Sequence, residues 1–115
     1  MKEDARGEGV EVSNEAIAAL AAQAAGDIEG VTVIQQKPVE LLTSRVKREF
    51  VHMGVKVSRE EDACRMSLYL KIDYGMSIPA LAQEVRNKVK EYVEGLTDIK
   101  VEDIEIVVED VEPPA

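Results

Sequence analysis

Apolar residues recur along this chain with two periods, and each change of period marks the border of an element. After Ser13 or Asn14, either of which can accept the free amides of a first turn, Ile17, Leu20, Ala21, Ala24 and Ile28 repeat at helical spacing. Gly26 weakens that helix and Gly30 ends it. Val10 and Val12, alternating with Glu11, predict a brief strand before it, and Val31, Val33 and Ile34 predict a second strand behind it. In the second half Met53, Val55 and Val57 alternate with polar positions, as do Met66, Leu68, Leu70, Ile72 and Tyr74. Two half-buried strands follow, joined through the polar run from Ser58 to Ala63. Ser77 and Pro79 then open a helix whose Leu81, Ala82, Val85, Val89, Tyr92, Val93 and Leu96 form one apolar face, with Gly95 as its stop.

Two stretches resist a single period. Between Pro38 and Val51, the residues Val39, Leu42, Val46 and Phe50 fit a helical face, while Thr43, Val46, Phe50 and Val51 also suit a strand. A short helix followed by a loop is the favoured reading. In the last strand Ile99 and Val101 lie on one parity, and Ile104, Ile106 and Val108 lie on the other. A bulge near Glu102 and Asp103 must reset the register, and only the second set is expected to face the helices.

Helices with one apolar face each need a common sheet to cover. The expected fold class is therefore α+β: a two-layer sandwich, with a mixed β-sheet of about four to five strands and two main helices on one face. The other sheet face, carrying Arg65, Ser67, Tyr69, Lys71 and Asp73, is left to meet water or a partner. Residues 10–111 form one domain, between a flexible leader at 1–9 and a flexible tail at 112–115.

Charge narrows the function classes. The chain of 115 residues holds 23 acidic against 14 basic ones, a formal charge of -9 that repels nucleic-acid phosphates and anionic lipid headgroups. Aromatic residues make up only 3%, too few to supply base-stacking platforms, so an RNA-binding reading is set aside. The longest mostly apolar run, Ala16 to Ile28, is too short to span a bilayer, which argues against direct membrane insertion. A single cysteine and an N-terminus without an apolar signal core point to the cytoplasm.

Candidate chemistry is sparse. No phosphate loop, metal-type spacing of Cys and His, or nucleophile-and-base motif is present, so no catalytic, cofactor-binding or metal-binding residue is assigned and no enzyme activity is expected. His52 beside Phe50 and Met53 reads as a packing or loop residue, and Cys64 has no neighbour that activates a thiol. Asp103, Glu105, Glu109 and Asp110 alternate with isoleucine and valine, as on the wet side of a strand, which outweighs a cation site. The Gly26 and Gly30 pair reads as helix-end punctuation, since Asp27 and Glu29 between them spoil a membrane dimer motif. Arg45, Lys47 and Arg48 form the only dense positive cluster of an acidic chain and are candidate contacts for a partner. Tyr69, on the parity opposite the predicted core, is the other.

The order Gly54-Val55-Lys56-Val57, then Tyr74-Gly75-Met76-Ser77-Ile78-Pro79, then Val85 to Val93 and Val101 to Val108, resembles the alkaline shock protein family of bacterial envelope-stress proteins. Val10-Glu11-Val12-Ser13, the Ala-rich helix and Glu29-Gly30-Val31 extend the resemblance over most of the chain. The segment from Pro38 to Val51 departs from the family's more Gly-rich pattern. The resemblance implies a non-catalytic cytoplasmic scaffold of the envelope stress response. Such a protein forms a homo-oligomer and is held at the inner face of the membrane by a small membrane-anchor protein. The alternative from another class is a small regulatory or ligand-binding domain that modulates a metabolic enzyme.

Overall fold

The computed structural model describes residues 11–34 and 49–112, with side chains over 11–34 and 53–111. Seven elements follow in the order α1 (Asn14–Gly26), β1 (Val31–Val33), β2 (Glu49–His52), β3 (Val55–Glu60), β4 (Ala63–Asp73), α2 (Ile78–Leu96) and β5 (Lys100–Glu112). The strands form one five-stranded mixed sheet organised around β4. On one edge β4 pairs antiparallel with β3 and, further along, with β1; β2 pairs antiparallel with β3. On its other edge β4 pairs parallel with β5, so β4, α2 and β5 make a crossover unit. Both helices cover the same face, α1 against β1 to β3 and α2 against β5, and they touch each other. This is the expected α+β two-layer sandwich.

Local chemistry sets the helix ends. Ser13 caps α1, its Oγ accepting from the Ala16 N–H at 3.1 Å, and Glu15 places negative charge in the first turn. Alanines at 18, 21, 22, 24 and 25 are buried together with Ile17. Their small side chains let α1 press closely on α2 and the sheet. Ser77 caps α2 in the same way, and Leu81, Val85, Val89 and Val93 recur every fourth residue as its buried row. The helix runs through Gly95 and stops at Thr97, whose N–H and Oγ1 both donate to the Val93 carbonyl and whose Oγ1 accepts from Ile99 N–H. Thr97, not Gly95, ends the helix. Glu94 Oε2 then accepts from Val101 N–H at 2.8 Å and fastens the helix end to β5.

Several expectations are corrected. Of the brief strand expected at Val10 and Val12, Val10 lies outside the described residues and residues 11–13 form no strand; the Val12 carbonyl accepts from Arg59 Nη1 at 2.9 Å instead of entering a ladder. Phe50 and Val51 lie in β2, paired with Val57 and Lys56, where a loop behind a short helix was expected. The rest of that predicted helix, 39–48, lies outside the described residues. Met53 belongs to the turn between β2 and β3, with φ of 54°, followed by Gly54 at 81°, the pair of signs that suits a two-residue hairpin. Leu96, placed by periodicity on the apolar face, is 59% exposed, although Val93 in the same turn is fully buried.

The bulge foreseen at Glu102 is present: Cys64 pairs with Val101 and Arg65 with Asp103. It turns both parities inward, so Ile99 and Val101 are buried together with Ile104, and the expectation that only the later set faces the helices fails. A second register shift, at Glu109, was not foreseen.

Arg59 does a job that no periodicity marks. From β3 its Nη1 donates to the Val12 carbonyl and to Asn14 Oδ1, and its Nε donates to the Glu61 carbonyl. One guanidinium thereby ties the start of α1 to the turn between β3 and β4. Arg59→Ala is expected to cost about 1–2 kcal/mol in urea unfolding and to speed amide exchange in the first turn of α1. Unchanged stability together with unchanged exchange at Ala16 and Ile17 would count against the clamp.

Candidate functional site

The sheet face turned away from the helices is the candidate site. Along β4 the buried residues Cys64, Met66, Leu68, Leu70 and Ile72 alternate with Arg65, Ser67, Tyr69, Lys71 and Asp73, so a strict period of two divides core from open face. Strand pairing then assembles that open face in transverse rows. Ser58, Arg65 and Asp103 form one row; Lys56, Ser67 and Glu105 form the next. Tyr69 and Val107 form a third, and Thr32, Lys71 and Asp110 a fourth. In the charged rows among these four the cations lie on β3 and β4 and the carboxylates on β5, whereas at the strand ends Glu60 lies on β3, Asp73 on β4 and Lys100 on β5.

The first two rows line a groove of about 620 Å³. Within it Ser67 Oγ donates to Glu105 Oε1 at 3.0 Å, holding that carboxylate against the sheet. Arg65 Nε stands 3.7 Å from Glu102 Oε1, a surface ion pair of little energetic weight. Arg86 reaches over from α2, its Nε donating to the Ile104 carbonyl at 3.1 Å, and adds a third guanidinium or ammonium group to the groove wall beside Lys56 and Arg65. The groove is lined by fixed charges of both signs. That suits recognition of another charged surface more than covalent chemistry.

Tyr69 lies on this open face, as expected, half-buried, with its N–H donating to the Gly54 carbonyl and its own carbonyl accepting from Ile34 N–H. Arg45, Lys47 and Arg48 lie outside the described residues. His52 ends β2, and Asp103, Glu105 and Asp110 sit on the open face, with Glu109 at the second register shift. Among the described residues no group of three or more His, Cys, Asp or Glu could hold a metal ion. Lys56 and Arg86 were missed as site residues. The outward position of Lys56 on its strand and of Arg86 on its helix was legible, but which strands would lie beside them was not.

Cys64 is 2% exposed, on the core face near the start of β4. Burial pushes its thiol up from 9.0 to about 11; Glu94 and Glu102 push the same way, and Arg59 opposes them. The thiol is therefore protonated and shielded at neutral pH, the opposite of an activated nucleophile. Native protein at pH 8 is expected to react with a maleimide at least tenfold more slowly than the urea-unfolded chain, roughly as a buried cysteine should. Since the folded thiol holds its proton more tightly than the unfolded one, its contribution to stability is intact below pH 9.0 and is lost as pH rises towards about 11. Cys64→Ala should flatten that alkaline decline. An equally steep decline in the variant would assign it to other groups.

Comparison with known proteins agrees with the fold and with the family resemblance read from the sequence. A protein of Bacillus subtilis (strain 168) described as uncharacterized protein YloU is 31% identical over 104 residues, covering 89% of this chain and 87% of its own. A second from the same organism, uncharacterized protein YqhY, is 26% identical over 97 residues, covering 84% and 72%. Among solved structures, one titled MamM CTD M250L superposes with a TM-score of 0.51 at 18% identity, over 84% of this chain and 95% of that one, a likeness of fold. The model of the alkaline shock protein 23 family, described as having a cell envelope-related function, matches residues 2–113.

Proposed function

We propose a function from one premise: the chain belongs to the alkaline shock protein 23 family, whose function is cell envelope-related. It acts there as a non-catalytic scaffold, associating with copies of itself on the cytoplasmic side and binding a small membrane-anchor protein. The observation that carries this reading is the open face of the sheet. Among the described residues both helices lie on one side of the five strands and leave the other side uncovered, and its rows of opposite charge are built for contact with a protein surface. Among the described residues no helix is long and apolar enough to cross a membrane, which is why the link to the membrane is assigned to a partner. Arg45, Lys47 and Arg48 are proposed as the contact for that anchor, since a basic cluster on a chain of net charge -9 is its natural point of selective attraction.

Sedimentation over a range of concentrations tests the first half: the mean mass is expected to rise with concentration, and a monomer throughout would defeat the scaffold. Recovery of membrane proteins from a native fraction tests the second. Arg45→Glu, Lys47→Glu and Arg48→Glu together are expected to lose one membrane partner that the parent chain retains, and equal recovery would remove the cluster from the interface.

A second reading rests on the groove itself. Lys56, Arg65 and Arg86 could receive an anionic metabolite, making the chain a small regulatory domain for an enzyme. Thermal-shift screening would then find a stabilising ligand. The scaffold is favoured because the groove lies open along the sheet, whereas small-molecule sites enclose most of their ligand.

A further inference from the structure

The charges on the open face are arranged as a self-complementary pattern, and the arrangement specifies a partner. Across β4 and β5 the rows read Arg65 beside Asp103, Ser67 beside Glu105, Tyr69 beside Val107, and Lys71 beside Asp110. In these three polar rows the donor or cation belongs to β4 and the acid to β5; the end rows differ, Asp73 pairing with Glu112 and Ala63 with Lys100. A rotation by half a turn about an axis parallel to these strands, lying above the sheet between β4 and β5, exchanges the two strands while keeping each row level. It sets Arg65 over the second copy's Asp103, Ser67 over its Glu105 and Lys71 over its Asp110, and does the same in reverse. Tyr69 then meets Val107 at the centre, where both side chains are half-buried and supply an apolar middle to a polar rim. An axis above β4 alone would instead press Arg65 against its own copy.

We propose that the occupant of this face is a second copy of the chain, docked sheet to sheet about that two-fold axis, with β4 of each protomer on β5 of the other. The inference rests on the scaffold reading and gives its self-association a surface and a geometry. A two-fold contact of this kind is closed and self-complementary, so the same few residues serve both sides. The packing is that of a β-sandwich made from two chains, with the sheets about 10 Å apart. The net charge of -9 on each copy acts against approach at low salt. At physiological ionic strength the Debye length is about 8 Å, which screens that long-range repulsion and leaves facing charges in contact largely intact.

The test uses the full chain and two charge-reversal variants. Arg65→Glu with Lys71→Glu makes both β4 and β5 acidic in those two rows; Asp103→Lys with Asp110→Lys makes both strands basic there. Sedimentation equilibrium at 150 mM salt, with circular dichroism to verify folding, is expected to show each variant associating at least about tenfold more weakly than the parent, as facing like charges require. An equimolar mixture of the two is expected to recover the dimer, because each basic position then meets an acidic one. Lys88→Glu with Lys90→Glu, on the exposed face of α2, changes net charge equally and should leave association unchanged. If the parent associates and both face variants associate as well as it does, the sheet-to-sheet contact is wrong while the scaffold stands. The same holds if the mixture recovers nothing, or if the α2 control weakens association as much. A parent chain that stays monomeric to high concentration overturns both. Loss of membrane-partner recovery by the face variants with self-association intact would hand the face to the anchor and overturn the proposal.

Discussion

Leu68→Ala is expected to remove about 3–4 kcal/mol of folding stability, within the usual range for a buried leucine that leaves a cavity behind. Leu68 is fully buried in β4, the strand to which β1, β3 and β5 are all attached. On the core face its cross-strand partners are Val55 and Ile106, one from each side. A strand pinned on both edges cannot sink to fill a void, so the cost should fall at the upper part of the range. Leu96→Ala is the matched control. Sequence periodicity assigns Leu96 to the same kind of apolar face, yet it is exposed, and its removal should shift stability by no more than about 0.5 kcal/mol. Urea titrations of the two variants beside the parent decide the matter. Comparable losses would mean that Leu96 is packed against the core.

Gly54→Ala should cost about 2–4 kcal/mol, through the backbone and its neighbours at once. Gly54 has a φ of 81°, a region that side chains other than glycine rarely enter. It also sits where the end of β1 meets the start of β3: Ile34 N–H donates to the Tyr69 carbonyl, and Tyr69 N–H donates to the Gly54 carbonyl. A Cβ there would overlap the Ile34 carbonyl oxygen and lie 2.6 Å from Val33 Cγ1. Neither obstacle is a flexible side-chain end, so the two strands would have to separate. Gly75 separates the two causes, with a φ of 93° and nothing within 4 Å of an added Cβ. Gly75→Ala should therefore carry the conformational penalty alone, about 1 kcal/mol. Thermal melts of both variants give the comparison, and equal losses would show that the close approach at Ile34 has no weight.

Periodicity made the two helices and β4 legible because each buries one face against a layer, and burial leaves the same mark on any helix or half-covered strand. The bulge at Glu102 was legible for the same reason: apolar residues changed parity at that point. The shift at Glu109 was not, since Ile106, Val108 and Val111 are only partly buried or exposed and leave a weak pattern. Met53 misled because it has the parity of Val55 and Val57, while its position in a tight hairpin is a matter of backbone geometry. Phe50 and Val51 suit either a helix or a strand, and only pairing with Val57 and Lys56 decides between them.

The candidate face divides in the same manner. That Arg65, Ser67, Tyr69 and Lys71 share one side of a strand follows from a period of two and from the apolar residues between them. The stop of α2 at Thr97 and the clamp by Arg59 depend on partners across the fold. So do the placement of the carboxylates beside the cations and the resulting two-fold pattern of charge. By itself the sequence determined which residues turn inward, because local geometry and the aversion of apolar surface for water act within each element. The tertiary structure alone decided which outward residues became neighbours, because strand order and register join segments far apart along the chain, and no local period records that choice.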